Sequence, residues 1–275
     1  MNNIILVPTD FSEVCENAMH QAAEAAQFFK YELHLLHVLD KSSYAYLKAE
    51  NSGIEAIYNR LQEIADNLKA KYGIDVKIRA EDGDIFSTIN SVALHLGAKL
   101  VYLGTHGKVG MQKLTGSFAL RIITESPAPV IVVQKRKFKD GFRNILLPIT
   151  SDAGPWEKTK WASFMAKQLN AKVHLVSVPG KAIEETTKTL TTYFEENEVE
   201  YTSTIFEKSS NFSKQIIDHA TSNNYDLILI MTNPDAGWTK YLLGSYDEEI
   251  IFNSSQIPVM CINPRKYNWE KITNY

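Results

Sequence analysis

A glycine-rich run, Gly104-Thr105-His106-Gly107-Lys108-Val109-Gly110, is followed six residues on by Gly116-Ser117. Glycines let a backbone approach an anion, exposed N–H groups donate to it, and a helix N-terminus adds a favourable dipole. The chemistry open to such a stretch is the cradling of phosphate. Near the start, Pro8-Thr9-Asp10-Phe11-Ser12 sets a carboxylate and two hydroxyls directly after an apolar run. Asp10 is placed to hold a ligand, or to cap the next helix with Glu13 as the reciprocal half of a capping box. The two roles are compatible, and residue types alone leave both open. Neither a Walker-type loop nor a dinucleotide fingerprint after the first strand is present.

Other chemistry finds little support in the residues. His34 and His37 lie three apart on a strand-like segment, so they face opposite sides of a sheet and cannot share a metal. Both are expected in the core. Cys15 and Cys261 make no CxxC pair, which suits a reducing compartment and suggests no zinc or redox motif. No nucleophile has a base beside it by motif, and no second acid pairs with Asp10 as a metal site. Met111, Trp156 and Trp161 are expected as packing or interface groups, and His106 as a turn histidine in contact with solvent, with a place in the site as the alternative. The expectation is a binding protein with no catalytic residues and no metal ligands, not an enzyme.

The elements that would position these residues are written twice. Pro8 and Pro148, His34 and His174, and Val38 and Val178 share an offset of 140, whereas Leu100–Gly104 and Leu227–Met231 lie 127 apart. The second copy therefore lacks thirteen residues between its second strand and third helix, and the segment Lys41–Gly53 is the extra piece of the first. That piece, with Tyr44 and Tyr46 in it and Tyr58 beside it, is expected as a surface loop, with a lid over the site as the alternative. Strands are predicted in the first copy at Asn3–Pro8, Glu32–Val38, Asp75–Ala80, Lys99–Gly104 and Pro129–Val133. Helices are predicted at Ser12–Lys30, Glu55–Tyr72, Asp84–Leu96 and Ser117–Ser126. The runs Ile4–Val7, Leu100–Leu103 and Val130–Val133 are apolar throughout, as in a parallel sheet covered on both faces. The fold class is α/β: two tandem doubly wound, Rossmann-like domains, each with a five-stranded parallel sheet, over residues 1–136 and 142–275. The seam falls near Gln134–Arg143, where the basic run Lys135–Lys139 reads as a solvated linker. Ligands in such sheets sit beyond the carboxyl ends of the strands where the winding reverses. Both candidate stretches follow a strand there, the first and the fourth.

On these residues the chain resembles the universal stress protein family. V-P-x-D-x-S stands at the first strand and GxxG followed by GS after the fourth, and the likeness spans both halves. The resemblance implies an adenine-nucleotide site in the first domain, holding ATP or another adenine nucleotide with magnesium as a companion ion. Carried over by motif, its residues are Pro8, Thr9, Asp10, Val38, Gly104, His106, Gly107, Gly116 and Ser117. The aspartate and a backbone group at the end of the second strand would hold the adenosine; the glycines and serine would hold ribose and phosphates. Eight residues separate Gly107 from Gly116 where the family pattern has nine, and Phe118 and Ala119 follow Ser117. This points less to ATP than to adenine nucleotides in general. In the second copy Asp10 becomes Thr150, and Gly104 and Gly107 become Met231 and Pro234; Asp235 would set a carboxylate beside any phosphate. That site is expected to be empty or to take another ligand. The resemblance also implies a stress-response sensor and pairing of the last strands as an intramolecular pseudo-dimer, with a homodimer of the whole chain as a further form. A nucleotide-free interaction scaffold is the main alternative, and a slow ATPase or autophosphorylating enzyme the weaker one.

Composition bounds the rest. At 275 residues, 44% hydrophobic and 22% charged, the chain belongs with globular proteins and has room for two domains. A net charge of −3 argues against a nucleic-acid-coating surface. No apolar run approaches the roughly 18 residues of a membrane span. The first residues read as a strand and not as a signal peptide. A cytoplasmic location without membrane or nucleic-acid partners is the expectation.

Overall fold

The computed structural model describes residues 3–105, 116–137, 141–149, 155–207, 211–232 and 245–263. The chain divides into two compact units, Met1–Lys137 and Phe138–Tyr275.

The first unit runs β1 (Ile4–Pro8), α1 (Glu13–Phe29), β2 (Glu32–Leu39), α2 (Lys41–Ala49), α3 (Glu55–Tyr72), β3 (Val76–Asp82), α4 (Ile85–Leu96), β4 (Leu100–Gly104), α5 (Gly116–Glu125) and β5 (Val130–Val133). Its strands lie in the order β3-β2-β1-β4-β5, and each neighbouring pair is parallel. The chain winds outward from β1 through β2 to β3, then returns to β4 on the other side. The winding therefore reverses between β1 and β4, the place where such sheets hold ligands. Every residue of β1, β4 and β5 is buried, which explains why these strands are continuously apolar. Facing them, α1 buries Ala18, Ala22, Ala23 and Ala26, small side chains that let its backbone come close to the sheet.

The segment after β2 corrects the sequence reading. Lys41–Ala49 is a helix and not a loop. Asp40 is its N-cap, with Oδ1 accepting the Ser42 and Ser43 N–H groups at 3.1 and 2.9 Å. Its inward face consists of Ser43 and Leu47, four apart, too little apolar repetition to announce a helix.

The second unit runs β6 (Asn144–Ile149), α6 (Pro155–Leu169), β7 (Lys172–Ser177), α7 (Lys181–Glu196), β8 (Tyr201–Ile205), α8 (Phe212–Ser222), β9 (Leu227–Met231), α9 (Ser245–Ile251) and β10 (Val259–Ile262). Its strand order, β10-β9-β6-β7-β8, repeats the topology of the first. The repeat holds in detail: Lys30 ends α1 and Asn170 follows α6, each in the left-handed region at φ 56° and 52°. No helix among the described residues is long and apolar enough to cross a membrane.

Candidate functional site

Pro8, Thr9 and Asp10 leave the carboxyl end of β1, and beside them stand Leu36, His37 and Val38 of β2. With Ile85 and Ile89 from the first turns of α4 they wall a cleft of about 370 Å³, counted out to its open mouth. Parallel pairing sets this wall: Pro8 is level with Leu36, and the Thr9 N–H extends the ladder to the Leu36 carbonyl at 2.8 Å. Four of the sequence-predicted site residues, Pro8, Thr9, Asp10 and Val38, thus come together in one place.

The turn carrying Asp10 is fixed by its own hydrogen bonds. Thr9 Oγ1 accepts the Phe11 N–H at 3.0 Å, and Asp10 Oδ1 accepts the Ser12 N–H at 2.9 Å. These hold Phe11 at φ 66°, a conformation a bulky side chain seldom adopts. The capping box, one of the two roles open to Asp10, does not form. Ser12 is the N-cap of α1 and makes no side-chain cap bond, so Asp10 lies two residues ahead of the cap and Glu13 opens the helix. The carboxylate is spent on the turn and remains on the cleft wall. Burial pushes its pKa up, but the Ser12 hydroxyl and N–H, with Cys15, outweigh this and leave it below the usual carboxylate range. Ser12 Oγ lacks hydrogen-bond geometry to any described atom, so its effect on Asp10 is that of a nearby dipole. Cys15 is fully buried, and burial together with the Asp10 charge pushes its thiol up to about 12, which makes it inert as a nucleophile.

Residue types gave no hint of what supports this turn. Phe11 stacks on His37 with ring centroids 4.7 Å apart, and the Arg60 guanidinium of α3 lies 4.3 Å from the Phe11 ring centre. His37 Nδ1 binds the Thr9 carbonyl at 2.8 Å, and Nε2 lies 3.1 Å from Ser43 Oγ on α2. His37 is thus buried, as the strand pattern predicts, but it also belongs to the cleft. His34 turns elsewhere, to Glu32 at 3.2 Å. Among the described residues no group of three or more His, Cys, Asp and Glu side chains is placed to hold a metal ion.

Gly104 has a packing task besides the one its glycine-rich surroundings suggest. It is the last residue of β4, and a Cβ there would stand 2.8 Å from the Val14 carbonyl oxygen and 2.9 Å from the Cys15 backbone. Its missing side chain admits the first turn of α1, which brings the Asp10 turn against the sheet. His106 and Gly107 lie outside the described residues, as does Met111. Gly116 and Ser117 open α5, the helix N-terminus expected there, and the Ser117 side chain is not among the described groups.

A protein-family model for the universal stress protein family matches residues 1–134 and again 141–263. The chain belongs to the universal stress protein family. Universal stress protein MJ0531 of Methanocaldococcus jannaschii is 32% identical over 140 residues, covering 48% of this chain and 82% of that protein. Universal stress protein MJ0577 of the same organism is 26% identical over 156 residues, covering 48% of this chain and 94% of that protein. A crystal structure of a universal stress protein from Archaeoglobus fulgidus matches with a TM-score of 0.77 at 19% identity, covering 96% of this chain and 99% of that one. That likeness shows the fold. The tandem arrangement of two family domains is thereby established for this chain.

The second unit of this family member treats its strand ends otherwise. Where α1 has fully buried Ala18, the offset of 140 puts Lys158 on α6, and its Nζ donates to the Pro148 carbonyl at the end of β6. Asp247 on α9 is near enough for the two charges to act on each other. Burial holds the amine below the usual lysine range, opposed by Asp247, and burial holds the carboxyl above the usual range, opposed by Lys158. Thr150, Pro234 and Asp235 lie outside the described residues. Ser245 opens α9.

Proposed function

We propose that the first unit binds an adenine nucleotide and that the protein works as a nucleotide-dependent stress sensor, not as an enzyme. The observation that carries this reading is the cleft itself: Asp10 and Val38 share its wall at the carboxyl ends of β1 and β2, and β1 borders the point where the winding of the sheet reverses. The base fits the apolar wall of Leu36, Ile85 and Ile89, Asp10 takes ribose or base donors, and phosphates reach toward the glycines that precede α5. Magnesium accompanies the phosphates. The second unit takes no nucleotide in this reading, because Thr150 stands where the first copy has Asp10 and the buried Lys158 amine reaches the Pro148 carbonyl near the end of β6. For that unit alone the scaffold alternative is the better description.

Thermal melting of the full chain with millimolar ATP, ADP and AMP, with and without magnesium, tests the proposal. A ligand bound only by the native state at about 100 times its dissociation constant adds about 2.7 kcal/mol, so the melting temperature rises. The rise is expected in wild type and is lost in Asp10→Ala. No rise with any nucleotide would leave the scaffold reading for both units, and steady nucleotide turnover abolished by Asp10→Ala would make the protein an enzyme.

A further inference from the structure

Two backbone acceptors of the residues on the cleft wall, the Thr9 and Val38 carbonyls, are already engaged by the protein. The Thr9 carbonyl receives His37 Nδ1 at 2.8 Å, and since a carbonyl only accepts, Nδ1 carries the proton. The Val38 carbonyl accepts the Asp40 N–H at 3.0 Å and has the Ser43 hydroxyl 3.2 Å away. Ser43 is buried, and its Oγ also stands 3.1 Å from His37 Nε2 and 3.1 Å from Asp40 Oδ1. Its single proton has three acceptors to choose from. Whichever it serves, the oxygen stays beside the Val38 carbonyl. A carbonyl has two lone pairs; here the Asp40 N–H takes one and the Ser43 hydroxyl stands within reach of the other. Leu36, Ile85 and Ile89 supply the rest of the wall facing a planar ring.

We propose that Ser43 is a specificity-determining residue: by sealing the Val38 carbonyl it makes the cleft accept a purine ring by shape and apolar contact, with little distinction between a 6-amino and a 6-oxo group. The proposal rests on the nucleotide reading of the same cleft and says how the base is read. A pocket that hydrogen-bonds a particular group rejects analogues lacking it by large factors, whereas an apolar one discriminates weakly. The device belongs to α2, which sits in the segment that the shorter second copy lacks. Asp40 fixes the helix start, and the helix start fixes Ser43.

Calorimetric titration of the full chain with ADP and with IDP decides the matter. Wild type is expected to bind the two within about threefold of each other. Ser43→Ala frees one lone pair of Val38, and the added hydrogen bond is expected to shift the ratio about tenfold toward ADP. A wild-type preference of tenfold or more for either nucleotide overturns the proposal, and so does a ratio unmoved by Ser43→Ala while both still bind. If the variant fails to fold, the wild-type ratio decides alone. Absence of binding for both nucleotides in folded wild type overturns the nucleotide reading itself.

Discussion

Glycine at 104 earns its place by what surrounds it, and its substitution should be felt at once. A Cβ there meets backbone atoms of Val14 and Cys15 at 2.8–2.9 Å, and backbone cannot swing aside as a side chain end can. Gly104→Ala should therefore destabilise the first unit by about 1–3 kcal/mol, the usual cost of overpacking, seen as a lower urea midpoint at constant slope. An unchanged midpoint would mean that α1 moves away from β4 without cost. At the same scale lies what the sequence could not disclose. Asp10 was legible as a candidate because it follows an apolar strand, and Val38 only through the family resemblance; both line the cleft. Phe11 was not, because nothing in its type announces a positive φ, and Arg60 was not, because it arrives from a helix some fifty residues on. His37 was read only as core: the alternation of a strand says which face a side chain takes, not that the strand ends there beside a cleft.

At the scale of elements, the strands were legible and one helix was not. Ile4–Pro8, Leu100–Gly104 and Val130–Val133 declare themselves because both faces of the sheet are covered and no polar residue is tolerated. Helix α2 has nine residues and two buried positions, so its signal lies in the cap and not in periodicity. Short helices depend on such caps, since nucleation is costly and few turns share the cost. Asp40→Ala removes the acceptor for two N–H groups and should cost about 1 kcal/mol. Faster hydrogen exchange confined to the first turn of α2 is the expected reading; exchange unchanged there would show that Ser43 holds the helix without its cap.

For the whole molecule, the duplication was legible from offsets alone, and it also divides the spectroscopy. All four tryptophans, Trp156, Trp161, Trp238 and Trp269, belong to the second copy, so fluorescence reports that unit by itself. It can follow His174, buried between Thr202 and Asn144 at 2.8 and 3.1 Å. Burial, with Lys172 and His219 adding to it, lowers its pKa from 6.5 to about 4. The unfolded chain takes up this proton first as acid is added. The stability it contributes is therefore complete above pH 6.5 and is lost as the pH falls toward 4. Urea midpoints followed by tryptophan fluorescence should fall across that window, and His174→Gln should flatten the fall. An equal slope in the variant would assign the acid sensitivity to other groups.

Lys158 carries a consequence for the history of the duplicate. Its buried amine is held by the Pro148 carbonyl and is favoured in its charged form by Asp247, whose own carboxyl is favoured as the anion in return. Two positions on separate helices thus depend on each other's charge, and a change at one alters what the other tolerates. The corresponding place in the first copy, Ala18, carries no such obligation. The second copy is tied to its divergence by two positions at once, and the first is not.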